Sequence, residues 1–539
     1  MNNITKDINT LLINANKALK GQKYAEGKSL LEKILLINPN IFEVNFNLAM
    51  INFQSGSVDA AIQYFQNAKK INSKVPRVYF NLALAFEKKN EKNLAIINYE
   101  KAIELDPNDS LVFYNLGSLY KDIFDTTKAE KYLKKSLDLK PNFTLAYNNL
   151  FDLYDRSNQL DKYSQLLKKA QKVLSEKDLI SFYSGIHEYK KKEYQNAIKI
   201  LENTNLNESN FIQNITKHGI LAKSYDHIKK FDKAFYFFKT NNDLVKNYYG
   251  KNINEKNFID YVSQRIEFFK DFKIDSWRQY SKKNEINNPI FLIGFPRSGT
   301  TLLDTILRTN KSVEVIEEKP ILKNFLIELE KKTKNDFNQL SILDEKYINE
   351  MQNFYFHERA KYQKNKNIKI IIDKLPLNII HIGEILRFFP NAKFVFALRH
   401  PYDSVLSCFM QQFTLNPAMK NFLSIENSAV LYDLVMRLWT IYIKAFSINF
   451  HIIKYENVVS NFEQTTKEVF KYIGLDWSDE TENFYLTAKD RIDISTPSYN
   501  QVTSPIYLKS VSRWKNYEKH FKDAKEYLDK WVKQFDYKT

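Results

Sequence analysis

The sequence predicts two architectures in one chain: an all-α repeat array followed by an α/β domain with a mostly parallel sheet. In the first half, Pro39, Pro107 and Pro141 stand at positions that differ by 68 and 34, and Ser73 occupies the missing slot between the first two. From residue 288 onward, short apolar runs alternate with amphipathic segments. A period of 34 residues is typical of helix–turn–helix repeats, and the alternation is typical of strands and helices in a layered α/β domain.

Composition narrows the class of protein. A chain of 539 residues exceeds what one hydrophobic core supports, and 44% apolar with 14% aromatic residues is a globular composition. The formal net charge of +17 favours anionic partners, although solvated lysines on helices explain the excess equally well. The single cysteine, Cys408, excludes an intramolecular disulfide framework and fits a reducing compartment.

Targeting signals are not visible in the sequence. The N-terminus lacks a basic segment followed by an apolar one, so no signal peptide is predicted. No apolar run approaches the length that a membrane span needs. We therefore expect a cytoplasmic protein.

The helical repeats are defined by small and aromatic residues at helical spacing. In the repeat 76–109, one face of each of two helices is apolar: Tyr79, Leu82, Ala83 and Phe86, then Ala95, Tyr99 and Ala102. Over about four repeats, 8–143, the pattern resembles tetratricopeptide repeats, and it becomes degenerate in later helices. The resemblance implies a concave surface that binds a peptide or protein partner. A spacer or dimerisation scaffold is the alternative.

The change of pattern sets the predicted domain bounds. A tetratricopeptide repeat solenoid is predicted over 1–245, and the α/β domain over 288–539. The segment between them, 246–287, is polar and rich in Lys and Asn, and we interpret it as a helical linker.

The α/β domain begins with a glycine-bounded loop. The apolar run Ile290–Ile293 predicts a buried strand, Gly294 and Gly299 bound the loop, and an apolar-periodic helix follows. This geometry aims backbone N–H groups and a helix N-terminus at an anion. A nucleotide kinase loop would place Lys after the second glycine, where this chain has Thr300, and the positive charge lies in the loop at Arg297. The pattern therefore predicts an anion site of a different class.

Polar clusters follow each predicted strand of this domain. The strands are predicted at 290–293, 368–372, 394–398 and 451–454. Because parallel strands end at one edge of a sheet, we expect the clusters to meet in one crevice: Arg297, Asp373 with Lys374, Arg399 with Ser407, and Tyr455 with Glu456. Arg399 and Ser407 suit a second anion. Two anion sites suit a nucleotide with phosphates on both ends of its ribose.

In their order and spacing, these motifs resemble the sulfotransferase superfamily: Pro-Arg-Ser-Gly-Thr-Thr, Asp-Lys-x-Pro, Arg-x-Pro-x-Asp-x3-Ser and Tyr-Glu. Tyrosylprotein sulfotransferases are the most similar characterised members, and bacterial fusions of tetratricopeptide repeats to a sulfotransferase have the same layout. The resemblance covers about 8–240 and 288–515. It implies a P-loop-like sulfotransferase domain with 3′-phosphoadenosine 5′-phosphosulfate (PAPS) as the sulfonate donor and no metal.

The same resemblance implies roles for individual residues. The 5′-phosphosulfate would be held by the loop residues Arg297, Ser298, Gly299, Thr300 and Thr301. Arg399 and Ser407 would hold the 3′-phosphate, and Tyr455 would contact the adenine. A later stretch, 496–502 with 513–515, resembles the family's closing segment, with Ser498 near the sulfonate and Arg513 near the 3′-phosphate. Ser504 stands where a basic residue is common.

The implied chemistry is in-line sulfonyl transfer, which depends on alignment and charge stabilisation. Arg297 and Lys374 can stabilise the leaving phosphate. By resemblance the catalytic base is Glu318, with Glu317 as the alternative. We expect Asp403 to cap or orient the helix after Pro401.

The leading hypothesis is a PAPS-dependent sulfotransferase whose repeats recruit a protein or peptide. Its acceptor is left open between a tyrosine, a sugar hydroxyl and a small metabolite. The competing hypothesis is a catalytically inactive nucleotide-binding adaptor. A kinase is disfavoured by the missing loop lysine.

Overall fold

The computed structural model describes residues 2–277, 288–365, 368, 370–489, 503, 505–506 and 510–538. Contacts divide the chain into two compact units, Met1–Leu206 and Asn207–Thr539. None of the described helices is long and apolar enough to cross a membrane.

The first unit is a series of antiparallel helix pairs. Its helices, α1 to α12, are Asn2–Lys20, Tyr24–Ile37, Phe42–Gln54, Val58–Ile71, Pro76–Lys88, Lys92–Leu105, Ser110–Asp122, Thr126–Leu139, Thr144–Arg156, Leu160–Val173, Lys177–Lys190 and Tyr194–Glu202. The predicted solenoid of paired helices is confirmed.

Small residues set the spacing of these pairs. The apolar faces predicted for the repeat 76–109 are buried, with Ala83, Ala95 and Tyr99 fully inaccessible. A Cβ on Gly117 in α7 would lie 2.8 Å from Leu133 Cγ in α8. Because real Cβ atoms do not approach so closely, the helix pair depends on glycine at this position.

The second unit begins with three helices and continues into a five-stranded parallel sheet. The helices are α13 (Phe211–His227), α14 (Phe231–Tyr249) and α15 (Lys256–Phe269). The sheet order is β2-β3-β1-β4-β5. Its strands, β1 to β5, are Ile290–Gly294, Val313–Glu317, Ile370–Lys374, Lys393–Leu398 and Asn449–Lys454.

Helices cover this parallel sheet, as the predicted α/β fold requires. They are α16 to α26: Thr300–Leu307, Ile321–Thr333, Gln339–Ile342, Glu345–Ala360, Ile382–Phe388, Pro401–Phe409, Ile425–Ala445, Tyr455–Ser460, Phe462–Ile473, Phe484–Lys489 and Lys525–Gln534. A 3₁₀ helix, Arg513–Ala524, precedes the last of them. The fold class predicted from the sequence is confirmed.

One strand was not expected. The segment Val313–Glu317 forms β2 beside β3, although only four strands were predicted. Both of its glutamates, Glu314 and Glu317, are nonetheless buried. The Glu314 carboxylate accepts hydrogen bonds from the backbone N–H groups of Lys364 (2.6 Å) and Asn365 (3.2 Å), which offset the cost of its burial. The second predicted strand, 368–372, also shifts, since β3 extends through Lys374.

The helices α13 to α15 belong by their contacts to the unit that holds the sheet. Asn242 of α14 donates a hydrogen bond to Phe409 O at 2.9 Å. Arg265 of α15 forms a buried ion pair with Glu384 at 2.6 Å. Contacts therefore divide the chain after residue 206, whereas the predicted bounds, 1–245, 246–287 and 288–539, rest on the repeat pattern and stay a prediction.

Candidate active site

The glycine-bounded loop connects β1 to α16 at the carboxyl end of the sheet. Its backbone is left-handed at Arg297 (φ 68°) and Gly299 (φ 99°). A Cβ on Gly299 would come within 3.0 Å of Tyr455 Cδ2, and one on Gly294 within 2.5 Å of Ala397 O. Glycine is therefore required where the loop passes Tyr455 and β4. The loop leads into the first turn of α16, where the backbone N–H groups have no carbonyl partner within the helix.

Two buried polar atoms around this loop lack a hydrogen-bond partner among the described residues. They are Ser298 Oγ and Arg399 Nε, in side chains of residues that are 2% and 8% exposed. Leaving such donors unpaired costs about 1–3 kcal/mol each. Their position therefore fits an anionic ligand that would accept hydrogen bonds from both.

The two predicted anion sites are in direct contact. Arg297 Nε donates to Ser407 Oγ at 3.1 Å. Arg399 donates from one terminal nitrogen to Arg297 O at 3.1 Å and from the other to Ser510 O at 2.6 Å. Its guanidinium carbon lies 4.9 Å from the centroid of the Tyr455 ring. Residues predicted from three separate motifs thus form one cluster.

Lys374 lies between two carboxylates. Its side chain is fully buried at the end of β3, and Nζ is 3.0 Å from Glu317 Oε1 and 3.1 Å from Glu318 Oε1. Glu317 ends β2, and Glu318 follows it in a left-handed conformation (φ 50°), with its N–H donating to Lys374 O at 2.8 Å. A buried ammonium needs such partners, because an unpaired charge in the interior is strongly destabilising.

The two candidate bases differ in exposure. The Glu317 side chain is 7% exposed and the Glu318 side chain 37% exposed. Only Glu318 therefore has a face open to an incoming acceptor, while Glu317 is enclosed beside the lysine.

Asp373 points away from Lys374, because neighbouring strand residues face opposite sides of the sheet. Tyr355 donates to Asp373 Oδ2 at 3.1 Å, and burial raises the pKa of this carboxyl to about 7. Although Asp373 belongs to the Asp-Lys-x-Pro motif, its side chain is buried on the face of the sheet opposite to that of Lys374.

Asp403 has a role that the sequence did not indicate. We expected it to cap or orient the helix after Pro401, α21. It is 1% exposed, and its carboxylate accepts the backbone N–H groups of Ser512 at 2.7 Å and Trp514 at 2.9 Å. Burial raises the pKa of Asp403, and the field of Arg399 opposes that rise. Asp403 therefore anchors the segment that contains Arg513.

Arg513 itself is bonded to a residue that the sequence did not single out. Its terminal nitrogen donates to Asp226 Oδ2 at 2.7 Å, and Tyr517 donates to the other oxygen, Oδ1, at 2.5 Å. Asp226 lies in the last turn of α13. Nothing in the local sequence signals this pairing. Ser498 and Ser504 lie outside the described residues.

Two regions of the chain match known protein families. Residues 289–479 match the model of the sulfotransferase family, and residues 14–76, 76–109 and 98–131 match models of the tetratricopeptide repeat. This chain combines a sulfotransferase-family domain with tetratricopeptide repeats. The resemblance stated from the motifs is confirmed, and the family match includes the loop, Lys374, Arg399 and Tyr455 but not Arg513.

Similar proteins occur in bacteria and animals. An uncharacterized protein of Aquifex aeolicus (strain VF5) is 27% identical over 59% of this chain and 42% of its own length. Protein-tyrosine sulfotransferase 2 of Gallus gallus is 26% identical over 44% of this chain and 64% of its own length. Protein-tyrosine sulfotransferase of Drosophila melanogaster is 23% identical over 47% of this chain and 52% of its own length. The chain thus spans about half the length of the curated relatives it matches.

Proposed function

We propose that this protein is a sulfotransferase that moves a sulfonate from PAPS to a hydroxyl group. The observation that carries the proposal is the pair of buried, unpartnered donors, Ser298 Oγ and Arg399 Nε, beside a glycine-bounded loop within a sulfotransferase-family domain. A nucleotide with a phosphate at each end of its ribose would satisfy both donors.

The loop and β4 would hold the donor. The amides and hydroxyls at the start of α16, from Ser298 to Thr301, would bind the 5′-phosphosulfate. Arg399 and Ser407 would bind the 3′-phosphate, with the Tyr455 ring beside the adenine, and Arg513 would approach the same 3′-phosphate. When bound, PAPS supplies the sulfonate and a phosphate leaving group.

Lys374 and Arg297 would stabilise charge as the donor's sulfur–oxygen bond breaks. Lys374 is preorganised for this, since Glu317 and Glu318 fix its ammonium and burial strengthens its field. A bond forms from the acceptor oxygen to sulfur while the bond to the leaving phosphate oxygen breaks. Glu318, the more exposed carboxylate, would take the acceptor's proton. Ser498 is proposed to lie near the sulfonate.

A tyrosine in a protein or peptide is the first acceptor to test. Two relatives are protein-tyrosine sulfotransferases by name, and the repeats are of a kind that binds polypeptides. The repeats would recruit the acceptor or another protein partner. A cytoplasmic location is proposed on the single cysteine, Cys408, which is buried.

The test is a transfer assay with labelled PAPS and acceptors of three classes: tyrosine peptides, glycans and small phenols. We expect the labelled sulfonate to appear on one class of acceptor. In Arg297→Ala we expect transfer to be lost and adenosine 3′,5′-bisphosphate to bind more weakly. A matched control is Arg437→Ala, since Arg437 is half exposed on α22. Tight bisphosphate binding without transfer to any class would favour the inactive adaptor, and unimpaired binding and turnover in Arg297→Ala would refute the loop assignment.

A further inference from the structure

The side chain of Arg513 is held by a helix outside the matched sulfotransferase region. Asp226 of α13 uses both carboxylate oxygens here, one for Arg513 at 2.7 Å and one for Tyr517 at 2.5 Å. The Asp226 side chain is 17% exposed and that of Arg513 33% exposed. The pair is thus enclosed on the Asp226 side, while part of the guanidinium is open.

The backbone of Arg513 is fixed from another direction. Asp403 accepts the N–H groups of the residues on either side, Ser512 and Trp514. Arg399, which directly follows β4, donates to Ser510 O at 2.6 Å. Burial raises the pKa of the Asp403 carboxyl, and the positive charges of Arg399 and Arg513 both oppose that rise. Arg513 is therefore held near the Arg399 cluster.

We infer that Asp226 is a positioning residue: it holds the Arg513 guanidinium in the orientation that contacts the 3′-phosphate of the bound nucleotide. The inference rests on the proposed function, in which Arg513 approaches that phosphate. It extends the donor site to α13, which lies outside the matched residues 289–479.

Physical chemistry explains why such a contact raises affinity. A free arginine side chain loses rotamer freedom when a phosphate immobilises it, and that loss of entropy weakens binding. Asp226 imposes that order before the nucleotide binds. Arginine carries five N–H donors, so the hydrogen bond to Asp226 leaves donors for a phosphate.

The experiment compares two nucleotides by titration calorimetry with the full chain. Adenosine 3′,5′-bisphosphate has the 3′-phosphate, and adenosine 5′-phosphate lacks it. We expect Asp226→Ala to bind the bisphosphate about fivefold to tenfold more weakly and the monophosphate as the unmodified protein does. Unchanged monophosphate binding also shows that the variant is folded. The control is Asp232→Ala, because the Asp232 side chain is 67% exposed where it pairs with Lys519 and contacts His520.

The alternative outcomes are distinct. Equal weakening of both nucleotides would make Asp226 a purely structural residue, and no change in either would refute the inference. Tighter bisphosphate binding would mean that Asp226 competes with the phosphate, which also overturns it. Should Asp226→Ala not fold, Asp226→Asn keeps the side-chain shape and is expected to lose bisphosphate affinity about twofold to fivefold.

Arg513→Ala separates this inference from the proposed function. Weaker bisphosphate binding in Arg513→Ala but not in Asp226→Ala refutes the positioning role alone. Unchanged bisphosphate binding in Arg513→Ala refutes the donor assignment of Arg513, and the inference falls with it. A bisphosphate that does not bind the unmodified protein refutes the proposed function itself.

Discussion

The two units of the molecule connect their polar side chains over different distances along the chain. In the first unit, Asn98 Nδ2 bonds to Leu94 O, four residues back in its own helix. Tyr183 donates to Asn148, 35 residues earlier, which is about one repeat. These hydrogen bonds join residues within one helix or about one repeat apart.

The candidate site of the second unit depends on pairs that are far apart in sequence. Arg297 and Ser407 are separated by 110 positions, and Arg513 and Asp226 by 287. Such contacts form only when the strands have been placed in order. The comparison teaches that the repeats can be understood locally, whereas the site exists only as a product of the sheet.

The largest expected effect comes from breaking the long-range cluster at Lys374. Lys374→Met removes the buried cation, so we expect turnover to fall by about 10²–10³-fold. The free energy of unfolding should fall by about 3–5 kcal/mol, because the buried Glu317 carboxylate loses its ion pair with Lys374. Transfer rates and urea unfolding measure the two effects.

The control for that change is a lysine at the start of another strand of the same sheet. Lys393 begins β4, and its Nζ is 3.3 Å from Tyr472 O. We expect Lys393→Met to keep normal turnover. Equal losses in both variants would show that the site is not concentrated around Lys374.

A second, intermediate effect concerns the pH dependence of stability. The pKa of Asp373 is raised by burial from 3.8 to about 7, so the folded state binds its proton more tightly than the unfolded state does. The stabilisation that Asp373 contributes is therefore fully present below about pH 4 and is lost as the pH rises towards 7. Over that pH window the free energy of unfolding falls by about 3–5 kcal/mol.

Urea unfolding at several pH values checks this prediction. Asp373→Asn should not show that decline between pH 4 and 7. Tyr355→Phe should move the window upward, because the Tyr355 hydrogen bond lowers the pKa of Asp373. Identical pH profiles for the unmodified protein and Asp373→Asn would contradict the assignment.

The smallest effect tests whether the repeats are as local as the comparison states. Gly117→Ala adds a Cβ that would overlap Leu133, so we expect the first unit to lose about 1–3 kcal/mol of stability. Gly21→Ala is the control, since its Cβ would meet the nearest atom at an ordinary 3.4 Å. Bisphosphate affinity should stay unchanged in both variants. A change in affinity for Gly117→Ala would show that the two units are coupled.

The strands illustrate how much of the fold could be predicted. Four of them followed from apolar runs, but β2 was missed because Val313–Glu317 contains two glutamates. Burial of Glu314 and Glu317 depends on Lys364, Asn365 and Lys374, all about 50 residues or more away. The alternation of apolar and acidic residues in this segment was the one available signal for a strand.

Some residues of the candidate site were predicted from the sequence and others were not. Motif spacing identified Arg297, Lys374, Arg399 and Ser407, and the structure brings Arg297, Arg399 and Ser407 together. The partner of Arg513 could not be predicted, since an aspartate in the last turn of a repeat-like helix has no distinctive context.

By itself, the sequence determined the helical period, the class of the α/β domain and the residues of the glycine-bounded loop, because short-range patterns of size and polarity encode all three. Only the tertiary structure decided that Lys374 lies between Glu317 and Glu318, that Asp403 anchors the segment around Arg513, and that Asp226 holds its guanidinium. The physical reason is that burial and hydrogen-bond geometry are properties of groups brought together by folding, whatever their separation along the chain.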